Sequence, residues 1–267
     1  MATLLLNSLA AALYLLTGAV MARRLLGGQT PHSPKLMSLV ALALVLHGLG
    51  LISSVAVQRG MIELGFFRVS SLLFWVINVL VLISSRRKPL HNLFILLLPL
   101  SALSLVVTLL SAGSSRPMVL SYPLASHVLL SILAYSLLTI ATLQALFLAW
   151  QNHQLKHHHP LGRVRLLPPL QTMEELLFEL LWAGQALLTL SIVSGFVFLE
   201  DLFAQHLVHK TVFSLAAWII YALLLWGRYR LGWRGYTAIR WTLSGFALLM
   251  LAYFGSKLVL ELILGRY

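Results

Sequence analysis

The chain has no cysteine. Thiolate metal centres, iron–sulfur clusters, disulfides and thioether-attached prosthetic groups on its own side chains are therefore excluded. Acidic residues are scarce as well, seven Asp and Glu against nineteen Lys and Arg. Charged residues of both signs make up 10% of the 267 residues, where a soluble domain carries about 25%. A soluble enzyme and a disordered chain both need more charge than this. What fills the sequence is apolar: 60% hydrophobic residues and a mean hydropathy of +0.91. That balance reads as an all-α polytopic membrane protein. Eight spans of about 20 residues use about 160, and the remainder is too short for an extramembrane domain. Residues 1–267 are expected to form a single integral membrane domain. A formal charge of +12 on a soluble protein would suggest nucleic acid. Here it reads as basic residues gathered at one membrane face, with the lipid bilayer and no nucleic acid as partner.

Eight apolar segments are expected, at 3–21, 36–57, 66–84, 90–111, 123–150, 180–199, 211–226 and 241–262. The breaks carry turn and charge signals: Gly27-Gly28 with Pro31 and Pro34, Gln58-Arg59-Gly60, Arg86-Arg87-Lys88-Pro89, Gly113 to Pro117, and Gly232 with Gly235. The first segment has its positive charge, Arg23 and Arg24, behind it rather than ahead of it, unlike a cleavable signal peptide. The odd-numbered loops hold thirteen Lys and Arg, and the even loops hold only Arg59, Arg68, Arg116 and Lys210. By the positive-inside rule, loops 1, 3, 5 and 7 are cytoplasmic and both termini lie outside. The expected location is a bacterial inner membrane. In loop 5, the mixed acidic and apolar run 171–179 reads as a short helix lying on the inner interface.

Polar side chains within the membrane need an explanation. His47 falls near the middle of helix 2. His127 falls about one turn into helix 5, and His209 at the start of helix 7, with His206 just before it. Three of these four are thus at or near the outer surface. Imidazole ligates haem iron, copper and zinc, and two imidazoles fill both axial positions of a haem. Outer histidines with basic side chains at the rim suit a flat apolar macrocycle bearing two propionates. Spacing alone favours the plainer role of interfacial histidines bonded to backbone or water. Asn78, Gln144 and Gln185 read as interhelical hydrogen-bonding groups, and Ser191-Ile-Val-Ser-Gly195 as a close-packing stripe. Lys257 and Glu261 are spaced to pair near the outer end of helix 8. His153, His157, His158 and His159 read as a solvated loop. With no carboxylate at mid-membrane and no nucleophile–base pair, neither proton-driven transport nor catalysis is expected.

Two stretches carry a resemblance. Ser126-His127-Val-Leu-Leu-Ser-Ile-Leu-Ala-Tyr135 resembles the His-Val…Ser-Tyr helix of cytochrome c assembly membrane proteins. The second comprises Leu187-Leu-Thr-Leu-Ser-Ile-Val-Ser-Gly195, His209-Lys-Thr-Val-Phe-Ser-Leu-Ala-Ala-Trp218 and Gly227-Arg-Tyr-Arg-Leu-Gly-Trp-Arg-Gly235. It is similar to the C-terminal helices of the same superfamily, the CcsA, CcmC and HemX type, and of its bacterial YpjD-like inner-membrane subgroup. The resemblance implies a protein that binds haem b in cytochrome c assembly or haem handling, with other membrane proteins of those processes as partners. It implies His127 as an external haem ligand, with His209 as candidate second ligand. Lys210, with Arg68 or Arg116, would then meet the propionates. His47 is deeper, as a second, internal stop for haem or a structural hydrogen bond. The chain lacks the tryptophan-rich loop and Asp-Pro-Lys-Glu run of the haem-exporting members; His209-Lys210-Thr211 stands there instead, and Trp226 replaces a family histidine. A cofactor-free accessory or regulatory membrane protein is the alternative reading.

The charge asymmetry makes a direct prediction. Reporter fusions after Gly28, Lys88, Lys156 and Gly232 should all report cytoplasm, and an outside signal at any two contradicts the arrangement.

Overall fold

Apolar runs of this length bury their backbone polarity by winding into helices, since the bilayer offers no other hydrogen-bond partner. The computed structural model describes residues 2–55, 65–111, 121–156, 168–198 and 208–255. Its helices are α1 (Ala2–Leu26), α2 (Pro34–Val55), α3 (Phe66–Ser84), α4 (Phe94–Leu110), α5 (Tyr122–Lys156), α6 (Leu170–Phe198), α7 (Val208–Leu231) and α8 (Tyr236–Met250). A 3₁₀ turn at His91–Leu93 leads into α4, and a π-helical turn at Leu251–Gly255 follows α8. No strand occurs among the described residues. Seven of the helices, α1 to α7, are long and apolar enough to cross a membrane. The expected eighth span runs past the described residues.

Turn residues end the helices where the sequence marks them. Pro34 opens α2, where its missing N–H is no loss. Gly232 adopts φ 66° between α7 and α8, a left-handed conformation that glycine enters without steric penalty. Loop 5 departs from expectation. Residues 171–179 are not a separate helix on the interface but the first turns of α6, continuous to Phe198. No breaker interrupts the run, and Met173, Leu176, Leu177 and Phe178 are buried. Likewise, the polar residues 151–156 prolong α5 to 35 residues, about 52 Å at about 1.5 Å per residue. Both helices therefore outreach a hydrocarbon core of about 30 Å.

The chain divides into two compact units, one holding α1–α4 and the other α5–α8. In the first, α1 packs on α2 and α4, and α3 on α2 and α4. Asn78 Nδ2 donates to Ser101 Oγ at 2.6 Å, joining α3 to α4 as expected of it. His32 stacks on His91 with centroids 4.2 Å apart, tying the α1–α2 turn to the start of α4. In the second unit, α5 packs on α6 and α8, and α7 on α6 and α8. Gln144 Nε2 donates to the Met173 carbonyl at 3.1 Å and Gln185 Nε2 to the Trp218 carbonyl at 3.2 Å, so both make the interhelical bonds expected of them. In each unit, consecutive helices run antiparallel.

The α5–α6 seam depends on a missing side chain. A Cβ at Gly184 would stand 2.7 Å from Leu138 Cδ2, closer than packed atoms approach. Gly184→Ala should cost about 1–3 kcal/mol by overpacking, read as a lower thermal midpoint in detergent. Leu138→Ala in the same chain should recover part of the loss. An unchanged midpoint for Gly184→Ala contradicts this packing.

Candidate functional site

In the second unit, α5 starts on local signals. Ser121 Oγ accepts the Leu124 N–H at 3.4 Å, an N-cap contact, and Pro123 occupies the first turn, where proline is tolerated. The helix then places half-buried His127 in its second turn, facing α6. His127 Nδ1 lies 3.0 Å from Ser194 Oγ. Ser194 Oγ donates its proton to the Ser191 carbonyl at 2.8 Å. A hydroxyl has one proton to give. With that proton on the Ser191 carbonyl, Ser194 accepts from His127 Nδ1–H and Nε2 keeps its lone pair; with the hydroxyl turned to Nδ1 the tautomer reverses. A second chain braces the first: Ser131 Oγ donates to the His127 carbonyl at 2.8 Å and lies 2.7 Å from Ser191 Oγ.

The first of these tautomeric states is one in which an imidazole can take a metal on Nε2. A ligating histidine characteristically gives its other N–H to an acceptor, which fixes tautomer and ring orientation. The Ser191-to-Gly195 stripe, expected only to pack closely, does pack: Ser191, Ser194 and Gly195 are buried. It also supplies the acceptor that reading residue by residue missed. The signal was available in the spacing, since Ser191 and Ser194 are three apart and share a helix face.

His209 is the second residue of α7, and its side chain lies outside the described residues. Lys210 follows it, half-buried, in the same first turn. The antiparallel order brings the start of α5, the end of α6 and the start of α7 to one end of the unit. Because α5 and α7 each pack on α6 and α8, they stand diagonally across the unit rather than side by side. Among the described residues no three His, Asp or Glu side chains are grouped to hold a metal ion.

The other expected residues stand apart from this group. His47 is fully buried in the first unit. Its Nδ1 lies 3.2 Å from Tyr14 Oη on α1, and its Nε2 lies 2.9 Å from Ser71 Oγ on α3. Both ring nitrogens are thus engaged, and the ring links three helices. Arg68 is half-buried in the first turn of α3, also in the first unit. His153 is exposed in the last turn of α5. Arg59, Arg116, His157, His158, His159, His206, Lys257 and Glu261 lie outside the described residues.

Against this geometry, comparison with known proteins gives consistent findings. The family described as cytochrome C assembly protein matches residues 35–264. The chain is 41% identical over 137 residues to inner membrane protein YpjD of Escherichia coli strain K12, covering 51% of this chain and 52% of that protein. It is 35% identical over 141 residues to a 28.8 kDa protein of Azospirillum brasilense, covering 52% of each. It is 26% identical over 194 residues to protein HemX of Brevibacillus brevis, covering 71% of this chain and 64% of HemX. The chain thus spans about half the length of the first two relatives. No solved structure matches it.

The engagement of His47 on both sides predicts a stability effect. His47→Leu strands two buried hydroxyls, a loss of about 1–3 kcal/mol, and should lower the thermal midpoint in detergent. Adding Tyr14→Phe and Ser71→Ala removes the stranded groups and should restore much of the loss. A triple variant less stable than His47→Leu alone would show that the hydroxyls do not depend on the ring.

Proposed function

The chain belongs to the cytochrome c assembly protein family, and from that premise we propose that this multi-pass membrane protein binds haem b in cytochrome c assembly or haem handling, with His127 as an iron ligand. The supporting observation is the contact that orients His127: Nδ1 faces Ser194 Oγ at 3.0 Å and Ser194 Oγ lies 2.8 Å from the Ser191 carbonyl, a geometry compatible with the tautomer that keeps a lone pair on Nε2. Haem b would supply an iron that imidazole nitrogen ligates. The chain would supply the His127 imidazole, held against α6 by Ser194. His209, which opens α7 at the same end of the unit, is the candidate second ligand. Lys210 beside it is the candidate partner of a propionate, as a charge-assisted hydrogen bond.

In this reading both termini lie outside the cytoplasm, and the membrane is the bacterial inner membrane, the location named for the Escherichia coli relative. The histidine end of the second unit then faces outward. Partners are other membrane proteins of haem or cytochrome assembly. The protein holds its cofactor by ligation, and no catalytic step is assigned to it.

An absorption spectrum of the purified full-length protein, expressed with haem supplied, tests this. The wild type should show a Soret band. His127→Ala and His209→Ala should each weaken it or shift it towards five-coordinate haem. His153→Ala, about 39 Å away along α5, should leave it unchanged. Absence of haem from the wild type, or a spectrum indifferent to both substitutions, overturns the proposal in favour of a cofactor-free accessory protein.

A further inference from the structure

At the opposite end of the second unit, a pocket of about 290 Å³ opens between the start of α6 and the end of α7, lined by Gln171, Glu174, Glu175, Arg228 and Arg234. Its charges are not all available. Arg228 is committed: it pairs with Glu174 at 2.7 Å, donates to the Trp233 carbonyl at 3.3 Å and lies over the Phe178 ring at 4.5 Å. The Arg228–Glu174 pair cancels its own charge. What remains is one guanidinium, on exposed Arg234, and one carboxylate, on exposed Glu175, which accepts from Gln171 Nε2 at 3.1 Å. Arg234 and Glu175 line the same pocket without pairing with each other.

The pocket also lies at a defined depth. On α6 no charged residue follows Glu179 up to Phe198, and on α7 none precedes Arg228 back to Thr211. Charge therefore begins on both helices at the level of the pocket. Just inside that level, Trp182 on α6 is 58% exposed and Trp226 on α7 is 55% exposed, the placement of interfacial aromatic side chains. A cation and an anion lining one pocket, at the level where charge begins on both helices, complement a headgroup bearing both charges.

We infer that this pocket binds the headgroup of a zwitterionic aminophospholipid, with the phosphate on Arg234 and the primary ammonium on Glu175. The apolar surface past Trp182 and Trp226 accommodates the acyl chains. The inference stands on α6, the end of α7 and the turn that follows it, and is independent of any cofactor at the other end of the unit.

Native mass spectrometry of the delipidated full-length protein, titrated separately with phosphatidylethanolamine, phosphatidylcholine and phosphatidylglycerol, tests it. Phosphatidylethanolamine should bind about tenfold more tightly than the other two, the size of one charge-assisted hydrogen bond. Arg234→Gln should weaken it by about tenfold. Glu175→Gln should abolish its advantage over phosphatidylcholine, whose quaternary ammonium has no proton to donate. Arg87→Gln, in the exposed turn after α3, should change nothing. All three substitutions are at exposed positions, and an unchanged thermal midpoint verifies that each variant is folded. Phosphatidylglycerol binding as tightly as phosphatidylethanolamine would reduce the effect to general attraction by basic residues and overturn the inference. Indifference to Arg234→Gln and Glu175→Gln would do the same. Equally tight binding of free O-phosphoethanolamine would overturn the lipid as the source of the headgroup.

Discussion

A polar group carried into the hydrocarbon layer must find its partner within the protein, because the bilayer offers none. That constraint explains which side chains hold these helices to one another. Asn78, Gln144 and Gln185 each spend an amide N–H on a neighbouring helix. Trp75 Nε1 donates to the Leu44 carbonyl at 2.9 Å, and Trp218 Nε1 to Thr189 Oγ1 at 2.8 Å. Apolar contact alone distinguishes poorly between one helix neighbour and another, since lipid tails are as apolar as leucine. The directional bonds select the pairing.

The same constraint separates the two membrane histidines. His47 is engaged on both ring nitrogens, by Tyr14 and Ser71, and has nothing left to offer. His127 is engaged on Nδ1 by Ser194, whose hydroxyl also lies 2.8 Å from the Ser191 carbonyl. One ring closes a structural link among three helices. The other is oriented through one nitrogen by a single hydroxyl. That difference in satisfaction, rather than the presence of histidine, is what makes His127 the better candidate for ligation.

Much of this organisation was legible in the sequence. Hydropathy and turn residues located α3 at its observed limits and placed the turns at Gly28, Lys88 and Gly232. Hydropathy reports where the lipid-compatible surface ends, however, and not where the helix ends. Residues 151–156 and 171–179 are polar enough to leave the hydrocarbon yet contain no breaker, so α5 and α6 continue through them into water. The pairing of helices was not legible: nothing in the runs of leucine states that α5 and α7 stand diagonally. The Arg228–Glu174 pair was hidden for the same reason, its partners being 54 residues apart. The site was legible in part. His127 stood out as a costly polar residue in an apolar helix. Its serine partners looked like packing residues, because a serine stripe reads alike whether it makes room or makes bonds.

The measurement that addresses the central claim most directly is the protonation of the His127 ring, read by ¹⁵N nuclear magnetic resonance of histidine-labelled protein in lipid, with His127→Gln identifying the signal. The account predicts a neutral ring carrying hydrogen on Nδ1, with an unprotonated Nε2 whose signal is lost when haemin is added. A ring protonated on Nε2, with a signal indifferent to haemin, would contradict it.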